Sequence, residues 1–223
     1  MKTTLVLAMT ADGKIADVTK SPPTFSSDRD SAHLEEQIAL ADAILVGSGT
    51  LDDGGSVVLV KTPALIQSRI DRQKPAQPPQ IICSRSGKID PQLPFFSQPI
   101  DRWLLTTTIG AKDWHERDSF SQVIICETSD GKEIDWQVVK IKLAELNLEN
   151  ICLLGGSELA ASLFAAEFID DLWLTVCPVI YGGTASPTPV SGAGFTPDSA
   201  PKLTLLNVDR VEGELFLHYR VQK

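Results

Sequence analysis

The sequence lacks the features that mark several large classes of protein. Its four cysteines are scattered and form no Cys-x-x-Cys pair, which excludes a disulfide-stabilised miniprotein. No apolar run approaches the roughly 18–20 residues that a transmembrane helix needs. Lysine and arginine total 20 against 29 aspartates and glutamates, and the net charge of −9 argues against a nucleic-acid binder. These absences favour a soluble globular protein, which we expect in the cytoplasm without nucleic acid or membrane as a partner.

Familiar chemical motifs are also missing. There is no Gly-x-Gly-x-x-Gly fingerprint, so a standard Rossmann domain is disfavoured, and no Walker-type loop, which excludes the common nucleotide triphosphatases. The three histidines are isolated from one another, so we expect no metal site. The first nine residues resemble the core of a signal peptide, but they continue into residues 10–14 without a cleavage pattern and instead predict a strand. The cysteines lie in aliphatic runs and are expected to be buried: Cys83, Cys126, Cys152 and Cys177.

The patterns that are present predict one α/β domain over residues 1–223. Continuously apolar runs such as residues 43–46 are typical of strands buried on both faces, as in a parallel sheet between helices. The last two apolar runs, 202–208 and 215–221, flank a turn and predict an antiparallel hairpin. The predicted strands before it are 4–8, 43–46, 80–83, 103–106, 122–126, 150–154 and 172–177.

Three helices are predicted from their start signals. The first begins at Ser27, because Asp30 three residues later completes a capping box in which each residue would bond the other's backbone amide. The second begins with Pro63, since proline is favoured in the first helical turn. The third covers residues 157–168, directly after a pair of glycines.

Small and hydroxyl-bearing residues follow several predicted strands. Residues 47–50 (Gly-Ser-Gly-Thr), 84–86 (Ser-Arg-Ser) and 155–158 (Gly-Gly-Ser-Glu) all come directly after a strand. Open α/β sheets bind ligands beyond the carboxyl ends of their strands, and exposed amides at a helix start bind phosphate. Arg85 with its flanking serines is suited to a ribose 2′-phosphate. Together these positions predict a dinucleotide site.

The chain resembles a known family over nearly its whole length. It looks like the reductase domain of the riboflavin-biosynthesis deaminase-reductases and their stand-alone relatives, which reduce a phosphoribosylamino-pyrimidine. The resemblance implies a three-layer, dihydrofolate-reductase-like fold, NADPH as cofactor and a homodimer. It depends on residues 10–16 (TADGKIA), 41–50 (ADAILVGSGT) followed by Asp52 and Asp53, 153–156 (LLGG), 168–172 (FIDDL), 178–183 (PVIYGG) and 191–195 (SGAGF).

Site residues follow from the resemblance position by position. Asp12 and Lys14 stand in the family's Asp-Gly-Lys motif, in which the lysine lies close to the substrate, and we predict both as catalytic. Lys14 would polarise or protonate the acceptor while NADPH supplies a hydride, and Asp12 would orient it. The residues that match the family's cofactor contacts are Ala8, Thr50, Asp52, Ser84, Gly155, Gly156, Ser157, Glu158 and Leu159, to which we add Arg85.

The substrate side departs from the family. Where the family has arginines and a glutamate, this sequence has Ile38, Leu59 and Leu154. Lys61 or Arg69 are candidates to replace a lost cation. An arginine-to-aliphatic change at an anion site is not conservative, so the cofactor is better supported than the substrate.

Three interpretations of function therefore remain. The first is the riboflavin-pathway reductase, 5-amino-6-(5-phosphoribosylamino)uracil reductase, with hydride transfer to the ribosylamino carbon. The second is an NADPH-dependent reductase of another small pyrimidine, pterin or carbonyl compound. The third is a catalytically silent dinucleotide-binding protein. Retention of Lys14 and of the glycine turn favours an enzyme.

Overall fold

The structure, a computed structural model, describes residues 1–19 and 25–223. The chain divides into two compact units that use different parts of the sequence. The first unit holds Met1 and Glu35–Cys152, and the second holds Lys2–Leu34 and Leu153–Lys223. The second unit is therefore built from both ends of the chain.

The first unit contains five strands in the order β5-β4-β3-β2-β6. Each neighbouring pair from β2 to β5 is parallel, and Gly47 at the end of β2 stands opposite Cys83 at the end of β3. All of β2 and β3 is buried, as the continuously apolar sequence of β2 predicts, although β3 begins with the polar Gln80. The strands are β2 (Ala43–Gly47), β3 (Gln80–Cys83), β4 (Arg102–Thr106), β5 (Gln122–Ile125) and β6 (Asn150–Leu153).

The helices of the first unit connect these strands. Besides the predicted helix at Pro63, three helices are present that the sequence analysis did not identify. One of these, α5, has a clear local signal, since the Asp135 carboxylate accepts hydrogen bonds from two amides of its first turn. The helices are α2 (Ser48–Gly54), α3 (Pro63–Asp71), α4 (Thr108–Ala111) and α5 (Trp136–Glu145), with a 3₁₀ turn at Pro94–Ser97.

The second unit combines a parallel strand pair with the predicted hairpin. Its order is β1-β7-β9-β8, in which β1 and β7 are parallel and the other two pairs are antiparallel. Its helix α6 ends at Ala165, three residues before the predicted end. The elements are β1 (Lys2–Thr10), α6 (Ser157–Ala165), β7 (Asp171–Cys177), β8 (Leu203–Val211) and β9 (Glu214–Val221). The predicted class, mixed α/β with mostly parallel strands and a C-terminal antiparallel hairpin, is confirmed.

The first helix, α1 (Asp28–Leu40), begins at the predicted residue but with a different partner. Ser27 Oγ accepts a hydrogen bond from the Asp30 amide at 3.1 Å, as the capping box predicts. The reciprocal bond is not made by Asp30. Instead, Glu214 accepts hydrogen bonds from the Ser27 amide at 3.0 Å and from its hydroxyl at 2.6 Å. A carboxylate 187 residues away therefore completes the cap, and Asp30 is available for other contacts.

The end of α1 is held by two arginines. Arg69 of α3 donates through Nη1 to the carbonyls of Ala39 (2.9 Å) and Ala41 (2.6 Å), and through Nε to that of Pro75 (2.8 Å). Arg72 donates to the Ala39 carbonyl as well, at 2.7 Å. The last turn of α1 has no basic residue of its own. Cations near helix carboxyl termini are favourable, so α3 supplies what α1 lacks.

Within the described residues, no helix is long and apolar enough to cross a membrane. All four cysteines are free and buried, which confirms the prediction made from their aliphatic neighbours. Burial raises the pKa of the Cys83, Cys152 and Cys177 thiols to about 12. These thiols are therefore protonated at neutral pH.

Candidate functional site

The turn after β1 presents two of the predicted residues. The Thr10 amide donates to the Lys14 carbonyl at 2.8 Å, and the Lys14 amide donates to Thr10 Oγ1 at 2.9 Å. Gly13 has a φ of +79°, a conformation that favours glycine, and this closes the turn. As a result Asp12 is exposed and Lys14 half-exposed, while Ala8 is half-buried within β1.

Asp12 joins this turn to the segment that follows β7. Its carboxylate accepts hydrogen bonds from the Thr10 hydroxyl (2.6 Å) and from the amides of Gly182 (2.6 Å) and Tyr181 (3.2 Å). The Thr10 hydroxyl, with those two amides, lowers the pKa of Asp12 to about 2. Asp12 is thus an ionised hydrogen-bond acceptor that positions a loop rather than a source of protons.

Lys14 lies beside the same returning segment. Its Nζ donates to the Ser186 carbonyl at 3.3 Å, and the next amide, that of Ile15, donates to the Pro187 carbonyl at 3.0 Å. A lysine ammonium has three donors, so two remain for a ligand after the bond to Ser186. The ammonium is held by one backbone contact on a residue that is half-exposed.

The glycine turn after β6 leads into α6. Gly155 is buried with a φ of +92°, and an added Cβ there would lie 3.5 Å from the Leu7 side chain of β1. The N-cap residue Gly156 gives α6 no side-chain capping bond. The amides of the first turn, those of Ser157, Glu158 and Leu159, therefore have no side-chain cap to accept from them, an arrangement that suits phosphate.

One short segment connects Lys14 with the start of α6. Ser186 contacts Lys14, and five residues later Ser191 donates through its hydroxyl to Ser157 Oγ (3.0 Å) and to Glu158 Oε1 (2.8 Å). Five extended residues span at most about 17 Å. The segment from Ser186 to Ser191 therefore contacts both the predicted catalytic lysine and the start of α6 within the second unit.

The remaining predicted cofactor residues form a second group, within the first unit. Because Gly47 stands opposite Cys83, the segments after β2 and β3 leave the sheet at the same edge. Thr50 and Asp52 are exposed on α2. Burial raises the pKa of Asp52, and the nearby charges of Asp53 and Asp90 raise it further.

The turn after β3 is held firmly through its backbone. The Ser84 carbonyl accepts from Thr106 Oγ1 at 2.6 Å, and the Arg85 carbonyl accepts from Thr107 Oγ1 at 2.9 Å. The Ser84 side chain is buried, whereas that of Arg85 is exposed and forms an ion pair with Glu133. Sequence reasoning did not identify Glu133, because its partner lies 48 positions earlier.

The positions that depart from the family do not form a replacement anion site. Ile38 is fully buried and belongs to the core, while Leu59 and Leu154 are half-buried. The suggestion that Arg69 replaces a lost cation is wrong, since it is completely buried and its guanidinium binds the backbone carbonyls at the end of α1. Lys61 is exposed.

A buried acidic group in the second unit was also missed. Asp30 and Glu214 are both buried, and Glu214 additionally accepts a hydrogen bond from the Cys177 thiol at 3.4 Å. Burial is the largest cause that raises the pKa of Asp30, and the charge of Glu214 raises it further, against a hydrogen bond from Thr175. In the sequence Asp30 resembles an ordinary helix-start acid, so no local signal distinguishes it.

The family model described as the RibD C-terminal domain matches residues 1–217. The chain belongs to that family. The RibD C-terminal domain match extends over both groups of predicted residues, those after β1 and β6 and those after β2 and β3.

Individual relatives have low sequence identity to the chain, but the matches cover most of its length. The chain is 27% identical to the riboflavin biosynthesis protein RibD of Actinobacillus pleuropneumoniae, over 96% of this chain and 55% of that protein. It is 26% identical to a 2,5-diamino-6-ribosylamino-4(3H)-pyrimidinone 5′-phosphate reductase of Methanothermobacter thermautotrophicus, over 84% of this chain and 82% of that one. The chain thus spans about half of the RibD protein that it matches and most of the archaeal one.

Solved structures confirm the fold. The bifunctional deaminase and 5-amino-6-(5-phosphoribosylamino)uracil reductase of Thermotoga maritima superposes with a TM-score of 0.78 at 19% identity, over 99% of this chain and 56% of that one. Dihydrofolate reductase of Enterococcus faecalis superposes with a TM-score of 0.51 at 12% identity, over 100% and 97% of the two chains. The predicted dihydrofolate-reductase-like fold is therefore correct for this member of the RibD C-terminal domain family.

Proposed function

We propose that this chain is a single reductase domain that reduces a phosphoribosylamino-pyrimidine of riboflavin biosynthesis with NADPH. One observation carries the proposal: Lys14, in the turn after β1, and the uncapped start of α6 both contact the same short segment, residues 186–191. A cation beside a phosphate-binding helix start suits a reductase whose cofactor is a dinucleotide. The relatives named as reductases support the reaction class.

Different residues of the chain would bind the cofactor and assist the reaction. The first-turn amides of α6 fit a cofactor phosphate, because the glycines before them bring the backbone close without side chains. Arg85 and Ser84 suit the 2′-phosphate that distinguishes NADPH from NADH. When bound, NADPH supplies the hydride. Lys14 would donate a hydrogen bond or a proton to the acceptor, and Asp12 would fix the loop beside it.

Two positions on the substrate side differ from the family and support a second candidate substrate class. Ile38 stands where the family has an arginine and Leu154 where it has a glutamate, so neither position offers a charge to a substrate. This observation favours, as the second candidate, an NADPH-dependent reductase of another small pyrimidine, pterin or carbonyl compound. A cytoplasmic location stays a prediction from the sequence.

Nicotinamide fluorescence tests the proposal in two steps. Protein is first titrated into NADPH and then into NADH, after which the diaminopyrimidinone or the uracil form of the phosphoribosylamino substrate is added. We expect a fluorescence change on NADPH binding and its decay at an enzymatic rate with one of the two substrates. NADPH binding without consumption of either would refute the substrate and favour the second candidate. Absence of NADPH binding would refute the cofactor.

Variants assign the roles within this assay. Lys14→Ala should lower kcat by about 10²-fold or more and leave NADPH affinity within twofold, since general acid catalysis contributes on that scale. The exposed Lys140 on α5 provides the matched control, and Lys140→Ala should change neither quantity. Arg85→Ala should weaken NADPH binding more than NADH binding. Equal losses for both cofactors would remove Arg85 from the 2′-phosphate site.

A homodimer is the second part of the proposal, and the edge strand β8 supports it. Among the strands of the described residues, β8 pairs only with β9, and it exposes four aliphatic side chains. Long apolar edge strands in soluble proteins are normally covered or blocked. The exposed residues are Leu203, Leu205, Leu206 and Val208, with exposed fractions of 39%, 50%, 46% and 47%.

The oligomeric state provides the test. Light scattering after size exclusion should give a dimer for the natural sequence and a monomer for Leu206→Lys/Val208→Lys, because two buried lysines would oppose pairing of this strand. Ile109→Lys is the control, since Ile109 is even more exposed, at 66%, but lies in the first unit. A monomeric natural chain, or a dimer that survives the double change, would refute an interface on β8.

A further inference from the structure

We propose that Glu133 is a specificity-determining residue that competes with the cofactor 2′-phosphate for Arg85. The inference rests on the proposed function, in which Arg85 binds that phosphate. Glu133 lies on the turn between β5 and α5, and its carboxylate forms an ion pair with Nη1 of Arg85. Both side chains are more than half exposed, so a ligand can reach either of them.

The backbone of Arg85 has little freedom. Thr106 and Thr107 donate to the two successive carbonyls of Ser84 and Arg85. An added Cβ at Gly87 would lie 1.9 Å from the Gly110 carbonyl oxygen, so this turn also packs tightly against α4. Any movement that serves a ligand must therefore come from the arginine side chain.

The turn that carries Glu133 is equally well ordered. The Thr128 amide donates to the Glu133 carbonyl at 2.9 Å, and the Glu133 amide donates to Thr128 Oγ1 at 3.2 Å. Thr128 Oγ1 also donates to Asp130 Oδ1 at 2.7 Å. Hydrogen bonds to the backbone therefore hold both turns, the one with Arg85 and the one with Glu133. These turns place the Glu133 carboxylate beside the Arg85 guanidinium.

A phosphate and a carboxylate place the same demand on Arg85. Each accepts from the donor fork of the guanidinium, so a bound 2′-phosphate and Glu133 would compete for the same N–H groups. The 2′-phosphate and the Glu133 carboxylate are both negative, so they would also repel each other when both lie beside the Arg85 guanidinium. NADH has a hydroxyl in place of the 2′-phosphate and makes no such demand. Glu133 should thus reduce the preference for NADPH over NADH.

The experiment measures Kd for NADPH and for NADH by nicotinamide fluorescence at low ionic strength. The proteins are the natural chain, Glu133→Gln, Arg85→Ala and the double variant. Glu116→Gln removes one exposed negative charge elsewhere in the same unit and is the matched control. We expect Glu133→Gln to tighten NADPH binding by about 3- to 10-fold and NADH binding by less than twofold, a scale set by exposed ion pairs and by repulsion across about 4 Å of water.

The gain should fall below twofold when Arg85 is alanine, and Glu116→Gln should show no gain. Weaker NADPH binding by Glu133→Gln would overturn the inference, because Glu133 would then hold Arg85 in its binding position. Equal tightening for both cofactors, or an equal gain in the Arg85→Ala background, would overturn it too. If the natural chain binds NADPH and Glu133→Gln changes nothing, the inference alone fails. If no variant binds either nucleotide, the proposed function fails with it.

Discussion

Replacing Arg69 by methionine removes a fully buried guanidinium and keeps most of the side-chain volume. In the natural chain this group donates to the carbonyls of Ala39, Ala41 and Pro75. Pro75 is exposed, so water can satisfy its carbonyl after the change. Ala39 retains the bond from Arg72. The Ala41 carbonyl loses the donor that the structure gives it, in a residue that is 4% exposed.

The magnitude follows from these three outcomes. A buried carbonyl left without a donor costs about 1–3 kcal/mol, and the loss of a charge-assisted bond to Ala39 adds about 1–2 kcal/mol. Part of this loss in stability is recovered with methionine, because the folded protein no longer buries a charge. We therefore expect Arg69→Met to lower the free energy of unfolding by about 2–4 kcal/mol. Most of the loss should come from fraying of the last turn of α1.

Equilibrium unfolding in urea, followed by circular dichroism, measures this loss as a lower midpoint with an unchanged m value. Arg72→Met is the matched control, and it should cost less than about 1 kcal/mol because Arg72 is exposed and Ala39 keeps its bond to Arg69. Arg69→Lys keeps the charge but not the fork, and should lie between Arg69→Met and the natural chain. A loss below 1 kcal/mol for Arg69→Met, or equal losses for both methionine variants, would refute the reasoning.

Three further outcomes are expected. In the native protein fewer than one of the four thiols should react with a disulfide reagent within minutes at pH 8, whereas all four should react after denaturation, because burial raises the pKa of each to about 11 or 12. Asp30→Asn should gain thermal stability relative to the natural chain between pH 4 and pH 7. The pKa of Asp30 is raised, so its contribution is complete only below pH 3.8 and is lost as pH rises through the folded value. Gly87→Ala should cost more than about 3 kcal/mol in urea, because its Cβ would lie 1.9 Å from backbone and its φ is +63°.

Each of these three predictions has a result that would contradict it. Rapid reaction of two or more native thiols would show that the strands carrying them open readily. A melting temperature of Asp30→Asn that falls relative to the natural chain as pH rises would show that the charged form of Asp30 is the stabilising one. Gly49→Ala is the control for Gly87, since an added Cβ at Gly49 meets nothing within 4 Å. Equal effects of the two alanines would refute the packing argument.

The strands could be predicted from the sequence because their signals are local. A run such as residues 43–46 is apolar at every position, and this matches a strand that is buried at every position. The hairpin also follows from neighbouring residues, since β8 and β9 flank a turn at Glu212 and Gly213, both with positive φ. The short helices α2 and α4 have seven and four residues, too few for a helical period to emerge.

The contacts that define the site depend on pairs far apart in the chain. Ser27 meets Glu214 across 187 positions and Arg85 meets Glu133 across 48, and no local spacing reports either pair. Arg69 is an instructive error, because one arginine in a helix resembles a solvent-exposed residue until its partners are known. Lys14 and the glycine turn are easier to identify, since each belongs to a short contiguous motif. Their assignment to chemistry stays a prediction.

The division of the chain between the two units has a consequence for its synthesis. The first unit is almost entirely one continuous segment, Glu35–Cys152, whereas β1 must wait for β7 and its neighbours near the other end of the chain. Synthesis proceeds at about 5–20 residues per second, so the first unit has left the ribosome several seconds before β9 is made. During that interval β7, the parallel partner of β1 within the second unit, is not yet available. We therefore expect the second unit to complete its sheet last, because Thr4 of β1 pairs with Asp171 of β7 far along the chain.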